Sequence, residues 1–321
     1  MKKIAIIIVN WNGWKDTLVC FKTLLELQVA PTKSRIFGRS TGISYKLQII
    51  VIDNGSSDAS VENLKKLQNS KTPKLQFELI ENQTNLGFAE GNNIGIKKAL
   101  DWGADYVVLL NNDTLVDKNL VDSLIEIMEG DKKIDILGPK IYFAPGYEFH
   151  KDYYKKEEQG KVIWYAGGKI DWDNVYCSHR GVDEIDEGQY DKQKETDFVS
   201  GCCMMIKKKV FDKIGFLDKK YFLYLEDVDF CIRAKQTGFK IVYTPKAHLW
   251  HKNASSSEKP GSKIHLYYQT RNRLYFGLKY APTRSKLALF RESIKFIINN
   301  GIKRKACLDF YFNKFSHRKF D

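Results

Sequence analysis

The sequence predicts an α/β fold with a mainly parallel central sheet and helices on both faces. Strand-like apolar runs alternate with stretches of helical period through the first half of the chain. Three runs, Ile4-Ala5-Ile6-Ile7-Ile8-Val9, Leu47-Gln48-Ile49-Ile50-Val51-Ile52 and Val107-Val108-Leu109-Leu110, are β-branched or Leu-rich, as strands buried on both faces should be. All three end in carboxamides or carboxylates: Asn10-Trp11-Asn12, Asp53-Asn54-Gly55-Ser56-Ser57-Asp58 and Asn111-Asn112-Asp113-Thr114. One such end is ordinary turn chemistry. Three place ligating side chains at the carboxyl edge of a sheet, where open α/β folds bind ligands.

In chain order, residues 16–27 put Leu18, Phe21, Leu24 and Leu25 on one face, which predicts a crossover helix packed on the sheet. Residues 31–46 are polar, contain Gly38 and Gly42 and show no period, so they are expected to form an exposed loop. A short helix follows with Val61, Leu64 and Leu67 inward and Ser57 or Asp58 as its cap, then a strand over 75–80. Residues 82–95 are rich in Gly and Asn and lead into a helix. Glycine there either lets backbone N–H groups and the positive helix end reach a phosphate, or lets the helix lie close to the sheet. The Val107 strand spans 105–110, a helix over 117–128 turns Leu120, Val121, Leu124 and Ile127 inward, and a strand covers 134–142.

Residues 144–160 read as a polar loop, and 162–172 and 197–206 as strands separated by an acidic, structureless stretch over 183–195. Glu226-Asp227-Val228-Asp229 follows the aromatic segment Tyr221-Phe222-Leu223-Tyr224. Acids in a first helical turn are favoured by the helix dipole, so capping and chemistry both account for them. A strand over 238–243 is followed by His248, His251 and Ser255-Ser256-Ser257, assigned to a loop.

With 321 residues and 43% hydrophobic content, the chain can bury a sizeable core as one large or two modest domains. No apolar run approaches the ~18 residues of a membrane-spanning helix. Met1-Lys2-Lys3 starts like a signal peptide, but the apolar run stops at Asn10 without a small-residue cleavage site and reads as a strand, so a cytoplasmic protein is expected. Six cysteines without a C-x-x-C pair argue against a zinc knuckle and a disulfide framework. The net charge of +13 is concentrated: residues 259–321 hold fifteen Lys or Arg against three acids. Such a block marks nucleic acid, an anionic membrane surface or a solvated basic face. Leu287, Phe290, Ile294, Ile297 and Ile298 share a helical face edged by Lys286, Arg291 and Lys295, and Phe310, Tyr311 and Phe312 follow. That pattern suits an anionic membrane surface or packing against the rest of the protein. No nucleic-acid partner is expected, because the tail lacks a base-reading module and such a role leaves the acidic crevice unexplained. A dinucleotide-binding first turn would carry G-x-G-x-x-G, which Asn10-Trp11-Asn12-Gly13-Trp14 does not.

In order and spacing from residue 4 to about 257, several motifs together resemble the inverting glycosyltransferases of family 2, rhamnosyltransferase-like branch. They are Ile8-Val9-Asn10-Trp11-Asn12, the Val51–Asp58 segment, Asn85-Leu86-Gly87-Phe88-Ala89-Glu90-Gly91-Asn92-Asn93, Leu109-Leu110-Asn111-Asn112-Asp113-Thr114, Val199-Ser200-Gly201, Tyr224-Leu225-Glu226-Asp227-Val228-Asp229 and His251-Lys252. Tyr267-Tyr268-Gln269-Thr270-Arg271-Asn272-Arg273 continues the likeness into the tail. The resemblance implies the GT-A nucleotide-diphospho-sugar transferase fold. It further implies a catalytic domain over 1–257, with a nucleotide-binding part to about 142 and an acceptor-binding part after it, and a basic helical extension over 258–321. Asp53 would contact the nucleotide base, within a donor-binding set of Asn10, Asp53, Asn85, Gly87, Asn92, Asn111 and Asn112. Asp113, the surviving acid of the family's D-x-D motif, and His251 would hold a divalent metal, Mg or Mn, on the donor diphosphate. Asp227 matches the general base, with Glu226 beside it; Asp229 would orient the local structure and Gly201-Cys202-Cys203 would border the acceptor site. The implied partners are a nucleotide-sugar donor and a saccharide or lipid-linked acceptor in cell-surface polysaccharide synthesis, at the inner face of the membrane. A nucleotidyltransferase on a similar fold is the nearest enzyme alternative.

Overall fold

The computed structural model describes residues 1–27, 35–36, 39–40, 43–69, 76–253, 261–299 and 301–315. The first half alternates strand and helix: β1 (Lys2–Asn10), α1 (Trp14–Leu25), a small hairpin of β2 (Arg35–Ile36) and β3 (Arg39–Ser40), β4 (Tyr45–Asp53), α2 (Ser60–Asn69), β5 (Gln76–Glu81), α3 (Gly87–Asp101), β6 (Tyr106–Asn111), β7 (Thr114–Val116), α4 (Leu120–Gly130) and β8 (Ile134–Phe143). The second half contains β9 (Ile163–Tyr165), β10 (Gly168–Asp171), β11 (Tyr176–His179), β12 (Lys194–Glu195), β13 (Cys203–Lys207), α5 (Lys208–Ile214), α6 (Glu226–Gln236) and β14 (Lys240–His251). Helices α7 (Lys263–Tyr280), α8 (Thr283–Ile298) and α9 (Ile302–Tyr311) follow.

The main sheet runs β12-β14-β8-β13-β6-β1-β4-β5, with β7 added on β14 and β9 on β8. Strands β6, β1, β4 and β5 are mutually parallel. Ile4 through Ile8, Ile49 through Ile52 and Val107 through Leu110 lie in the core. Their registers pair Asn10 with Asp53 and Val9 with Asn111, so the three polar strand ends form one edge. Strand β13 enters antiparallel beside β6, with Cys203 opposite Leu110, and puts residues 201–202 next to that edge.

The structure revises several sequence-based expectations. In α1 the buried stripe is Thr17, Cys20, Phe21 and Leu24, while Leu18 and Leu25 are half-buried. The polar hydroxyl of Thr17 belongs inside because it joins a buried amide network at the strand ends. The 31–46 loop holds the β2–β3 hairpin, and its last residues already belong to β4; residues 31–34, 37–38 and 41–42 lie outside the described residues. The stretch expected to be strand over 162–172 breaks into β9 and β10 at Gly167, where φ is +109°. Residues 197–202 precede β13 and are not strand. The sequence reading missed β11, which pairs with β10. It also stopped β14 at Tyr243. The strand runs on past a register shift between Thr244 and His248, because β8 on one side and β7 on the other supply ladder partners. His248 and His251 therefore sit on a strand, while Ser255, Ser256, Ser257 and the boundary at 257 lie outside the described residues.

Gly91 and Gly95 let α3 lie against β1. A Cβ on Gly95 would stand 2.5 Å from Ile7 Cγ2, and one on Gly91 would stand 3.1 Å from Val9 Cγ1. At these two glycines close packing is the explanation that holds.

Candidate active site

The strand-end amides are bonded to one another. Asn10 Nδ2 donates to Asp53 Oδ2 at 2.8 Å, Thr17 Oγ1 donates to Asn10 Oδ1 at 2.8 Å, and Asn112 Nδ2 donates to Thr17 Oγ1 at 3.0 Å. Asp53 also accepts from Ser56 N at 3.0 Å and Ser56 Oγ at 2.7 Å, which fixes the turn after β4. A carboxylate offers about four acceptor positions, so three bonds leave Asp53 one more. Asn10, Thr17, Asp53 and Asn112 are almost wholly buried and bonded to one another, which makes the crevice floor rigid before any ligand arrives.

Asn54 links that turn to the segment before α3. Its Nδ2 donates to Asn85 Oδ1 at 3.1 Å and Gly87 O at 3.0 Å, and its Oδ1 accepts from Asn82 Nδ2 and Leu86 N. Gly87 N donates to Asn85 Oδ1, while Phe88 N and Ala89 N both donate to Phe222 O. The N–H groups of Gly87, Phe88 and Ala89 are thus engaged within the protein rather than turned toward a phosphate, one of the two roles the sequence left open for this segment. Gly87 is needed for another reason: its φ is +84°, and a Cβ would meet Phe222 at 2.5 Å. Asn92 is buried within α3 and donates to Phe88 O at 2.9 Å.

Asp113 and His251, 138 residues apart, come together because β7 pairs with the end of β14, with His251 opposite Thr114. Lys252 N bonds Asp113 O at 2.9 Å, and His251 Nε2 lies 3.1 Å from Asp113 Oδ1. Two donor atoms nearby in sequence are left over: His251 Nδ1 and Asn111 Oδ1 are buried with no hydrogen-bond partner among the described residues. A carboxylate, an imidazole and an unmatched amide oxygen are the donor chemistry of a divalent cation. Among the described residues no group of three or more His, Cys, Asp or Glu is placed to hold a metal ion by itself, so diphosphate oxygens and water would complete the shell. Trp164 packs edge-on against both His251, at 4.6 Å between ring centroids, and His179, at 4.3 Å. Burial pushes the His179 imidazole down to about 4, against a bond to Trp164 O that favours its charged form.

Glu226 and Asp227 open α6. Asp227 Oδ2 accepts from Gly201 N at 2.7 Å and its Oδ1 from Val228 N at 2.8 Å. Burial raises Asp227 while these N–H groups favour its charged form. Glu226 is more deeply buried, and loss of hydration, then the charge of Asp227, push its carboxyl well above the usual range. Both carboxyls are thus raised, Glu226 further, while the Gly201 and Val228 N–H groups favour the charged form of Asp227. Asp229 points elsewhere: burial works to raise it, but Arg233, Lys279 and Tyr280 outweigh that and hold it below the usual range. Residues 201–202 tie the two halves of the site, since Gly201 N holds Asp227 and Cys202 O accepts from Asn111 N at 2.9 Å.

Sequence reasoning missed Thr17 and Asn54, which hold Asn10, Asn112 and Asn85 in place, and Trp164, which backs His251. Their only sequence signal was polarity in a helix stripe, adjacency to Asp53 and an isolated aromatic.

The profile of glycosyl transferase family 2 matches residues 5–215. The low-salt glycan biosynthesis hexosyltransferase Agl10 of Haloferax volcanii is 24% identical over 271 residues, which cover 84% of this chain and 74% of that protein. The N-acetylglucosaminyl-diphospho-decaprenol L-rhamnosyltransferase of Mycobacterium tuberculosis is 23% identical over 243 residues, 70% of this chain and 73% of its own. Among solved structures, GalNAc-T7 with UDP, GalNAc and Mn2+ superposes with a TM-score of 0.62 at 15% identity, covering 98% of this chain and 55% of that one. The mannosyltransferase PcManGT of Pyrobaculum calidifontis, with GDP-Man and Mn2+, gives 0.53 at 12% identity over 95% of this chain and 73% of that one. The structural likenesses establish the GT-A fold. With the family profile spanning well over half of the sequence, the chain belongs to glycosyl transferase family 2 and is a glycosyltransferase.

Proposed function

We propose that the protein transfers rhamnose or another hexose from a nucleotide-diphosphate donor to a saccharide or lipid-linked saccharide, with inversion, in cell-surface polysaccharide synthesis. One observation carries the reading. Residues 201–202 join an N–H-bonded carboxyl, Asp227, to the strand end that carries the Asp113–His251 pair. On this reading residues 1–142 bind the donor, 143–257 the acceptor, and 258–321 form the extension. Asp53, with Asn10, Asn12 and Ser56 around it, receives the nucleotide base. Asp113, His251 and Asn111 hold Mn or Mg, which neutralises charge on the departing diphosphate. Asp227 takes the acceptor hydroxyl proton as the new C1–O bond forms and the C1–O bond to the diphosphate breaks.

A panel of UDP-, dTDP- and GDP-sugars with Mn2+ or Mg2+ tests this by thermal unfolding and product analysis. The matching donor at 100-fold its Kd should stabilise the native state by about 2.7 kcal/mol. Absence of stabilisation and turnover across the panel refutes the reading. Formation of a nucleotide sugar from a sugar phosphate would show the nucleotidyltransferase chemistry instead.

A second observation favours docking of the extension on an anionic membrane. Helix α8 buries Ser285, Leu289 and Ser293 inward, while Leu287, Phe290, Ile294 and Ile298 are exposed by 54%, 48%, 41% and 74%. Arg284, Arg291 and Lys295 are exposed on the same helix. Phe312, just after α9, is exposed as well. Apolar side chains ringed by cations suit an acyl–headgroup boundary, where each basic residue contributes about 1 kcal/mol. No helix among the described residues is long and apolar enough to cross a membrane. The double variant Leu287→Glu/Ile294→Glu should lose sedimentation with phosphatidylglycerol vesicles at low salt; recovery equal to the parent chain would refute the docking.

A further inference from the structure

The motif Tyr267 to Arg273 has no place in the chemistry above, yet α7 drives two of its side chains into the protein centre. Arg271 and Asn272 are wholly buried. Both point at the backbone of residues 220–225, immediately before Glu226. Arg271 Nη2 donates to Lys220 O at 3.0 Å and Tyr221 O at 2.8 Å. Asn272 Nδ2 contacts Tyr221 O, Leu223 O and Tyr224 O at 2.9, 2.7 and 2.9 Å. Arg271 Nε donates to Asn272 Oδ1 at 3.0 Å, which fixes the amide so that its NH2 faces the carbonyls. Tyr268 lies under the guanidinium, 4.8 Å from its centre, and stacks on Phe222 at 5.1 Å between ring centroids.

The backbone so held is unusual. Phe222, Tyr224 and Leu225 all have positive φ, at 63°, 71° and 71°, although none is glycine. Side chains with a Cβ rarely adopt this region, and runs of it persist only where the surroundings over-determine them. The segment also faces the site at both ends. Phe222 O accepts from Phe88 N at 2.7 Å at the start of α3, and Leu225 leads directly into Glu226 and Asp227.

We infer that Arg271 and Asn272 are positioning residues that hold residues 220–225 in this conformation and thereby set Asp227 against the donor crevice. The inference rests on the reading of Asp227 as the base. Helix α7 is then part of the transfer machinery through its hold on residues 220–225, and neither Arg271 nor Asn272 touches substrate.

Hydrogen exchange in the full chain tests the hold without any donor. In Asn272→Ser, the amides of Phe88 and Gly201, which donate to Phe222 O and to Asp227, should exchange at least about tenfold faster, while those of β1 and β4 stay unchanged. Arg271→Lys keeps the buried charge and a donor, and carries the same test should Asn272→Ser not fold. Unchanged exchange at both amides in a folded variant overturns the inference. The second readout is turnover of the donor found in the nucleotide-sugar panel: kcat should fall at least about tenfold, with the low-pH limb of its profile displaced. Faster exchange with parental turnover, alongside an inactive Asp227→Asn, overturns the positioning role alone. An active Asp227→Asn instead overturns the base assignment, whatever the exchange shows.

Discussion

Protonation of His179 should destabilise the protein on mild acidification, by an amount that follows from its surroundings. The imidazole sits against Trp164, Tyr165 and Phe198, with Nδ1 3.1 Å from Trp164 O, and is held at about 4 rather than the ordinary 6.5. Because the folded value is the lower one, the unfolded chain binds the extra proton first. Stability from this residue is intact above 6.5, is lost as pH falls through that value, and reaches its full loss below about 4. The loss amounts to about 2 kcal/mol at pH 5 and about 3 kcal/mol at pH 4. His248 and His265 are depressed by burial too, while the raised Glu226 and Asp227 act with the opposite sign. Comparison with His179→Asn, which keeps a donor for Trp164 O, cancels those contributions. Urea unfolding at pH 7, 6 and 5 should show the parent losing about 2 kcal/mol more than the variant between the extremes. A parent-minus-variant difference that stays flat over this range would refute the assignment of His179 as a buried neutral imidazole.

Three further outcomes are expected. Asp113→Asn should remove the Mn2+ dependence of UDP, dTDP or GDP binding measured by calorimetry, since the carboxylate beside His251 is the anionic protein donor there; metal dependence equal to the parent would exclude it as a ligand. Asp227→Asn should keep nucleotide affinity and reduce transfer by about 100-fold or more, with Glu226→Gln milder because burial disfavours the charged form of that carboxyl while N–H groups hold Asp227. A dead Glu226→Gln beside an active Asp227→Asn would exchange the two roles. Gly87→Ala should destabilise by at least about 2 kcal/mol in urea, from a left-handed φ and a Cβ 2.5 Å from Phe222; parental stability would show that the segment around Phe222 yields freely.

The strands of the donor half were legible because β1, β4 and β6 are continuous apolar runs, and a run buried on both faces needs no context to be read. Their shared polar edge was legible for the same reason, since the ends fall where the runs stop. What sequence could not supply was pairing at long range. Asp113 meets His251 only because β7 adds to the far end of β14, and β14 persists past residue 243 only because it has neighbours there. Ladder hydrogen bonds between distant segments leave no local period. Thr17 shows the same limit in miniature: a hydroxyl in a helix stripe reads as solvent-facing until Asn10 and Asn112 are placed around it.

The Gly-rich helix start shows how a motif can be right in place and different in physics. Residues 82–95 do border the crevice, yet the N–H groups of Gly87, Phe88 and Ala89 are spent on Asn85 and Phe222. The glycine serves the approach of residues 220–225, and those residues are gripped from behind by α7. The C-terminal helices thus have opposed faces with separate duties. The inner face, through Arg271, Asn272, Leu274 and Phe276, belongs to the core and the site, whereas the outer face of α8 leaves its apolar stripe exposed. Removing the extension to test membrane docking would strip the carbonyls of Lys220, Tyr221, Leu223 and Tyr224 of their α7 donors and bare the core around Phe276. Loss of vesicle binding in a truncated chain would then report damage to the catalytic domain as readily as loss of a lipid contact. Substitutions confined to Leu287 and Ile294 separate the two, because those side chains face outward and touch neither Arg271 nor the segment before Glu226.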